Sequence, residues 1–451
     1  MVSVAAGPIE NVLSSEAGDC WAAGVASGLL PAAAVGAAVG FDGVQAASNI
    51  VSPMPATVNI RSGIPKTIWQ ARDVDLPQPD AHTPHLADVV PSVLAAMGVT
   101  SFERRIDLAA DVRGACVLLI DGLGAELLDA HVDDAPVMAE LRGPTLQAGF
   151  PSTTVAGLAA VGTGCRSGEH GLVGLSFRLP GVGVINPLRW RPHPWGDDLR
   201  DVAPPEQVQP MATTFERAAR AGVEVSVVSP AEFSGSGLTR AILRGGEYVG
   251  VHALGDLASG VRAAVAGGGF CYGYHGEVDL LGHLYGPGSL AWRMQLREVD
   301  RLVESLVEGL PPGGLLAVVA DHGMVAVDDD EVVDIDGCAA LLDGVAAIGG
   351  EPRARYVYAD DGAAESVLAT WREVLADRAW VASRDEAIAA GWFGARIGDG
   401  VRARIGDVVA AARDSATMVR RTVEPLESSL VGHHGSVTTA EQSIPLLLAY
   451  G

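Results

Sequence analysis

No Cys-x-x-Cys pair occurs in this sequence, and its five cysteines (Cys20, Cys116, Cys165, Cys271 and Cys338) are odd in number and scattered. That argues against a disulfide framework and against a zinc knuckle built of clustered cysteines. It fits a reducing compartment, so a cytoplasmic location is expected. Positive charge is also scarce: Lys and Arg number 31 against 55 Asp and Glu, a formal net charge of -24. Such a surface repels polyanions, which argues against long DNA or RNA as a partner. A small phosphorylated substrate stays compatible, because bound divalent metals reverse the local field. No basic residue precedes Arg61. The uncharged stretch 20–41 is long enough to span a bilayer. However, it is rich in Ala and Gly, is broken by Pro31, and lacks the positive start of a secretory signal. Membrane association is therefore not expected, although this segment leaves export open.

What is present describes a globular chain, with 48% hydrophobic and 19% charged residues. Residues 1–80 are low in charge, irregular and free of chemical motifs, and read as an N-terminal extension. Regular patterning begins near Leu86, so the catalytic domain is placed at 81–451. ACVLLI (115–120), VEVSVVS (223–229), GGGFCYGY (267–274), GLLAVVA (314–320) and IPLLLAY near the end read as strands. Continuous apolar strands alternating with helices predict an α/β fold with a mostly parallel sheet covered on both faces. The stretch 289–310 predicts one amphipathic helix, with Val299, Leu302, Val303, Leu306, Val307 and Leu310 as its apolar stripe. Residues 345–425 hold shorter elements and read as a small inserted lobe.

Four patches carry chemistry, and each ends or follows an apolar strand. In open α/β sheets ligands gather at the carboxyl ends of strands, so the patches can converge. Asp121, in LLIDGLG, is a carboxylate at a strand end; alone it would read as a helix cap. FPSTT (150–154) places hydroxyls at the start of a small-residue helix, where free N–H groups favour phosphate. Asp279 and His283, in DLLGHLYGP, are four apart and share a helix face, so both can reach one ion. Asp321 and His322 leave a strand together, and GHHGS supplies His433 and His434. Mixed Asp/His ligation suits Zn²⁺, and two such sets suit a pair of metals.

The order Asp121-Gly122, FPSTT, DLLGHLYGP, ADHGM, HHG resembles the nucleotide pyrophosphatase/phosphodiesterases of the alkaline phosphatase superfamily, over roughly residues 86–451. The resemblance implies an alkaline phosphatase-like core and two divalent metal ions, with zinc the expected metal. It implies Thr154 as nucleophile, passing through a phospho-threonine. One metal would be held by Asp121, Thr154, Asp321 and His322. The other would be held by Asp279, His283 and His434; His434 is preferred to His433 because the family's last ligand directly precedes Gly, here Gly435. A neighbouring divalent metal is what makes a threonine hydroxyl a competent nucleophile at neutral pH. The substrate implied is small and phosphorylated, with nucleotides included.

One position departs from the pattern. The family often carries an Asn shortly after the His-Gly that follows the nucleophile, where it binds a phosphate oxygen. Here HGLVGL puts Leu175 at that place, and leucine cannot donate a hydrogen bond. This keeps a phosphomonoesterase or phosphonate hydrolase open as an alternative. No Cys-x-Pro-x-Arg string occurs, which disfavours a formylglycine sulfatase. A metal-binding pseudoenzyme or sensor is the alternative of another class, but such proteins usually lose ligands, and here all seven positions are filled.

Overall fold

The computed structural model describes residues 75–451. Most of the N-terminal extension expected at 1–80, and the whole uncharged stretch 20–41, therefore lie outside the described residues. Leu76–Gly451 form one compact unit. Its frame is a seven-stranded sheet. In chain order its strands are β1 (Gly114–Ile120), β2 (Arg142–Gln147), β3 (Val225–Pro230), β4 (Glu247–Val251), β5 (Phe270–His275), β6 (Gly314–Val319) and, after the lobe strands β7–β10 given below, β11 (Ser443–Tyr450). Across the sheet the order is β2-β11-β6-β1-β5-β3-β4. The five strands from β6 to β4 run parallel. The strand β11 is antiparallel to both its neighbours. Every side chain of β1 and β6 is buried, so both faces of the sheet are covered. That burial explains the unbroken apolar runs of these strands.

Helices that matter below are α1 (Val89–Ala96), α2 (Thr154–Thr163), α3 (Leu254–Ala266), α4 (Glu277–Tyr285), α5 (Leu290–Glu308) and α6 (Ala364–Leu375). In α5 the residues Trp292, Leu296, Val299, Leu302, Val303 and Leu306 are buried. Val307 and Leu310, read as part of the same stripe, are only half-buried at its end.

Between β6 and β11 the chain builds a second sheet, wholly antiparallel, from β7 (Val345–Glu351), β8 (Ala354–Ala359), β9 (Ala379–Ser383) and β10 (Val408–Ala412), in the order β7-β8-β10-β9. Its side chains alternate with period two. Tyr356, Tyr358, Val409 and Ala411 join the main core, whereas Val357, Val408 and Ala410 join a separate cluster with Trp371 and Leu375 of α6. The sheet is thus shared between two cores. Two buried ion pairs reinforce it. Arg353, in the turn between β7 and β8, donates from Nε and Nη2 to Glu441 at 3.0 and 2.6 Å. Arg355 on β8 donates to Glu424 at 3.1 and 2.8 Å.

The lower boundary of the folded unit differs from position 81. Leu76 packs against the main core, and Trp392 Nε1 donates to Pro77 O at 2.8 Å. A chain beginning at Asp75 should therefore fold as the full chain does. One beginning at His82 should melt several degrees lower, because the buried Trp392 N–H loses its acceptor. Thermal melts of the two truncations check this; equal midpoints would place the boundary at 81 after all.

Candidate metal centre

The C-terminal ends of β1, β5 and β6 lie side by side, and β11, running the opposite way, begins at the same edge. Asp121 directly follows β1, and Asp321 and His322 lie just past β6. Asp279 and His283 sit one turn apart on α4, which starts immediately beyond β5. His434 is in the loop before β11, and Thr154 is the first residue of α2. Close approach here needs glycine. A Cβ on Gly157, in the first turns of α2, would fall 2.6 Å from Asp321 Cβ, and one on Gly122 (φ +74°) would fall 2.9 Å from Asp279 Cα.

The structure brings all seven sequence-derived positions together. Thr154 Oγ1 lies 3.3 Å from His322 Nε2 and 3.5 Å from Asp121 Oδ1. His322 Nε2 lies 3.3 Å from Asp121 Oδ1 and 3.5 Å from Asp321 Oδ2. On the other side, His283 Nε2 lies 3.3 Å from Asp279 Oδ2 and 3.2 Å from His434 Nε2, and His434 Nε2 lies 3.7 Å from Asp279 Oδ1. The two halves meet where the His322 and His434 rings stack, with centroids 3.6 Å apart. His322 belongs to both halves: Asp121–Asp321–His322 and Asp279–His322–His434 each hold one ligand atom per residue within 4.8 Å.

These separations are long for hydrogen bonds, which favour about 2.7–3.0 Å. Two ligands at about 2.0–2.1 Å from a tetrahedral ion lie roughly 3.3–3.4 Å apart, which is the spacing seen. The hydrogen bonding behind the site supports the same fit. Each histidine turns Nδ1 to a backbone carbonyl: His322 to Gly323 at 3.0 Å, His283 to Gly432 at 2.7 Å and His434 to Ser152 at 2.9 Å. Donation from Nδ1 leaves Nε2 as the free lone pair facing inward. Asp321 Oδ1 accepts from the amides of Gly122 and His322, both at 3.1 Å. Its Oδ2, and Asp279 Oδ1, are buried without a hydrogen-bond partner. Such orphaned carboxylate oxygens are what a cation would satisfy.

Electrostatics point the same way. Burial, reinforced by the Asp121 charge, pushes the Asp321 carboxyl well up. Burial works against a charged His322 ring, yet Asp321 and Asp121 push it up to about 10. Burial also opposes ionisation of Asp279, but His283, His434 and His322 hold it below its ordinary value. Burial, then the His322 charge, holds His434 well down. The buried carboxylates thus recruit protons as their positive charge, a role a divalent ion would take over.

His433 stands apart. It pairs with Val325 in a short antiparallel bridge, and its ring approaches His283 only edge-on at 6.0 Å. Adjacent residues of an extended segment face opposite ways, so only one of the two histidines can enter the site. His434→Ala should therefore cut zinc affinity by about 10-fold or more, and His433→Ala should change it little. Chelator competition measures both, and the reverse ranking would overturn the choice of His434.

Two contributors, Tyr274 and Glu351, were not singled out in the sequence, and Ser152 was read there only among the hydroxyls of FPSTT. Tyr274, near the end of β5, donates its hydroxyl to Asp121 Oδ2 at 2.6 Å. Ser152 bridges the two loops, donating to Ser436 O at 2.8 Å and accepting from Gly435 N at 3.2 Å. Glu351, at the end of β7, is buried beside Thr153 and Gly435, and burial pushes its carboxyl up to about 8. Neither Tyr274 nor Glu351 sits in a motif that names a ligand. Trp190 and Trp392 are buried and offer no stacking surface, whereas Trp195 is 57% exposed. Among the described residues no helix is long and apolar enough to cross a membrane.

The family model described as type I phosphodiesterase/nucleotide pyrophosphatase matches residues 115–437. Human ectonucleotide pyrophosphatase/phosphodiesterase family member 7 is 43% identical over 60 residues, 12% of this chain and 13% of that protein. An uncharacterized pyrophosphatase/phosphodiesterase of Schizosaccharomyces pombe is 31% identical over 68 residues, 14% of each protein. The chain thus spans only 13–14% of the length of these curated relatives. In fold, the chain is similar to murine ectonucleotide pyrophosphatase/phosphodiesterase 5, with a TM-score of 0.57 and 16% identity over 75% of this chain and 88% of that one. It is also similar to phosphonoacetate hydrolase from Sinorhizobium meliloti 1021, with a TM-score of 0.54 and 19% identity over 75% and 90%. The family match runs from β1 to the loop beyond His434, and so the chain belongs to the type I phosphodiesterase/nucleotide pyrophosphatase family.

Proposed function

We propose that this chain hydrolyses phosphodiester or pyrophosphate bonds in small phosphorylated substrates, nucleotides included, with Thr154 as nucleophile. The observation that carries the reading is the position of the Thr154 hydroxyl, at the start of α2 and 3.3–3.5 Å from His322 Nε2 and Asp121 Oδ1. The donor set of carboxylates and imidazoles suits zinc. Asp121, Thr154, Asp321 and His322 would hold one ion, and Asp279, His283 and His434 the other. Bound there, two divalent ions would supply Lewis-acid stabilisation of charge on the attacking and leaving oxygens.

The chain's own groups account for the rest. The N-terminus of α2 directs free amides toward a bound phosphoryl group. Thr153 is its N-cap but makes no side-chain cap bond, so those amides are not blocked. Thr154 Oγ attacks phosphorus as its proton departs, the bond to the leaving oxygen breaks, and phospho-threonine remains. Water then attacks the same phosphorus, and the Thr154 oxygen leaves.

Leu175 supports the second reading, a phosphomonoesterase or phosphonate hydrolase. It is half-buried, and the neighbouring Ser176 spends its hydroxyl on Gly350 O at 2.8 Å, so it does not replace the missing amide donor. Phosphonoacetate hydrolase, similar in fold, is described in complex with phosphonoacetate. Hydrolysis of bis-p-nitrophenyl phosphate beside p-nitrophenyl phosphate, with chelation and zinc add-back, tests both. A zinc-restored preference for the diester is expected. A preference for the monoester would move the chain to the second reading, and metal binding without any turnover would favour a pseudoenzyme.

A further inference from the structure

Asp121 belongs to the Thr154 half of the candidate centre, and only one of its oxygens faces it. Oδ1 is the atom near Thr154 and His322; Oδ2 turns away and accepts from the Tyr274 hydroxyl at 2.6 Å. The tyrosine is seated for this contact. It lies opposite Leu119 in the parallel register between β5 and β1, so its ring reaches the residues just past the end of β1. Phe233, three residues beyond β3, packs edge-on against that ring with centroids 6.2 Å apart. Gly276 leaves room for the hydroxyl, since a Cβ there would lie 3.0 Å from Tyr274 Oη.

A carboxylate can offer an ion one oxygen or both, and it can swing between the two modes about its terminal torsion, which is broad and soft. A short hydrogen bond to Oδ2 removes that freedom. We propose that Tyr274 is a positioning residue for the metal centre: its hydroxyl holds Asp121 as a one-oxygen ligand, with Oδ1 directed at the place shared with Thr154 and His322. The tyrosine acts through Asp121 and touches no metal. The inference rests on the proposed metal-dependent reading of the site. It adds to it which of two carboxylate modes the chain enforces, and by what group.

The test is zinc affinity of the full chain by chelator competition, with the visible spectrum of the cobalt-loaded protein as second readout. Tyr274→Phe keeps the ring and its packing on Phe233 but removes the donor. Zinc affinity is expected to fall about 10- to 100-fold, the usual cost of losing a group that orients a ligand. The cobalt bands should shift, since the Asp121 ligation mode changes. Phe233→Leu is the control: it loosens the ring's packing but leaves the hydroxyl, and should hold zinc like the unmodified protein. Unchanged affinity and cobalt bands in Tyr274→Phe would overturn the role of the tyrosine alone. Equal losses in both variants would reduce that role to packing. Failure of the unmodified protein to bind zinc or cobalt would instead sink the metal-dependent reading itself.

Discussion

Thr154→Ala should lose at least about 10³-fold in kcat on any substrate the protein turns over, while keeping its fold. No neighbouring hydroxyl can take over. Ser152 is committed to Ser436 and Gly435, and Thr153 is turned toward the buried Glu351. The fold should survive because Thr154 occupies the first position of α2 and its side chain caps nothing; alanine is at least as good a helix former there. Steady-state kinetics and a thermal melt on the same preparation measure both halves. Activity within tenfold of the unmodified protein would reject Thr154 as nucleophile. Thr154→Ser should retain part of the activity, since it keeps the oxygen but loses the methyl group that fixes its rotamer.

Arg353→Ala should destabilise the protein by about 3–5 kcal/mol, the usual cost of leaving one member of a buried ion pair without its partner. Arg353 and Glu441 are both fully buried. Glu441 also accepts from Ser436 N at 2.9 Å and from the Thr438 hydroxyl, so it anchors the loop that carries His434. The loss should therefore appear twice, as a lower urea midpoint and as weaker zinc binding. Arg301, whose pair with Glu298 is mostly exposed, supplies the contrast: Arg301→Ala should barely move either quantity. Equal midpoints for the two variants would refute the anchoring role of the Arg353–Glu441 pair.

Legibility in the sequence followed burial. The strands β1, β3, β5, β6 and β11 could be read because the inner ones are buried on both faces and leave unbroken apolar runs. The strands β2 and β4 could not, being edge strands with a mostly exposed and a mixed pattern. The antiparallel sheet β7–β10 was also hidden, since its two faces serve different cores and each short strand alternates weakly. The seven chemical positions stood out because they fall in short strings: Asp121, Asp279, Asp321 and His322 soon after a strand end, His283 one helical turn beyond Asp279, and Thr154 and His434 in FPSTT and GHHGS. Tyr274 did not, although it is near a strand end too, because its meaning comes from a contact with Asp121, 153 positions away. Glu351 was missed for a related reason: a lone glutamate in a lobe gives no hint that it will be buried beside Thr153.

The place of β11 has a consequence for the order of events during synthesis. It lies inside the sheet, between β2 and β6, yet follows every other described strand in the chain. Until it emerges, β2 has no neighbour in the sheet, and the edge of β6 is bare. Segments so far apart in sequence pair slowly, because a long loop must close first. His434 lies shortly before this strand, with only the short helix Thr439–Gln442 between them, so it too reaches its place late. Asp121, Asp279, His283, Asp321 and His322 all precede it in the chain, so the site until then lacks only its last imidazole. The proposed metal site is therefore complete only near the end of elongation.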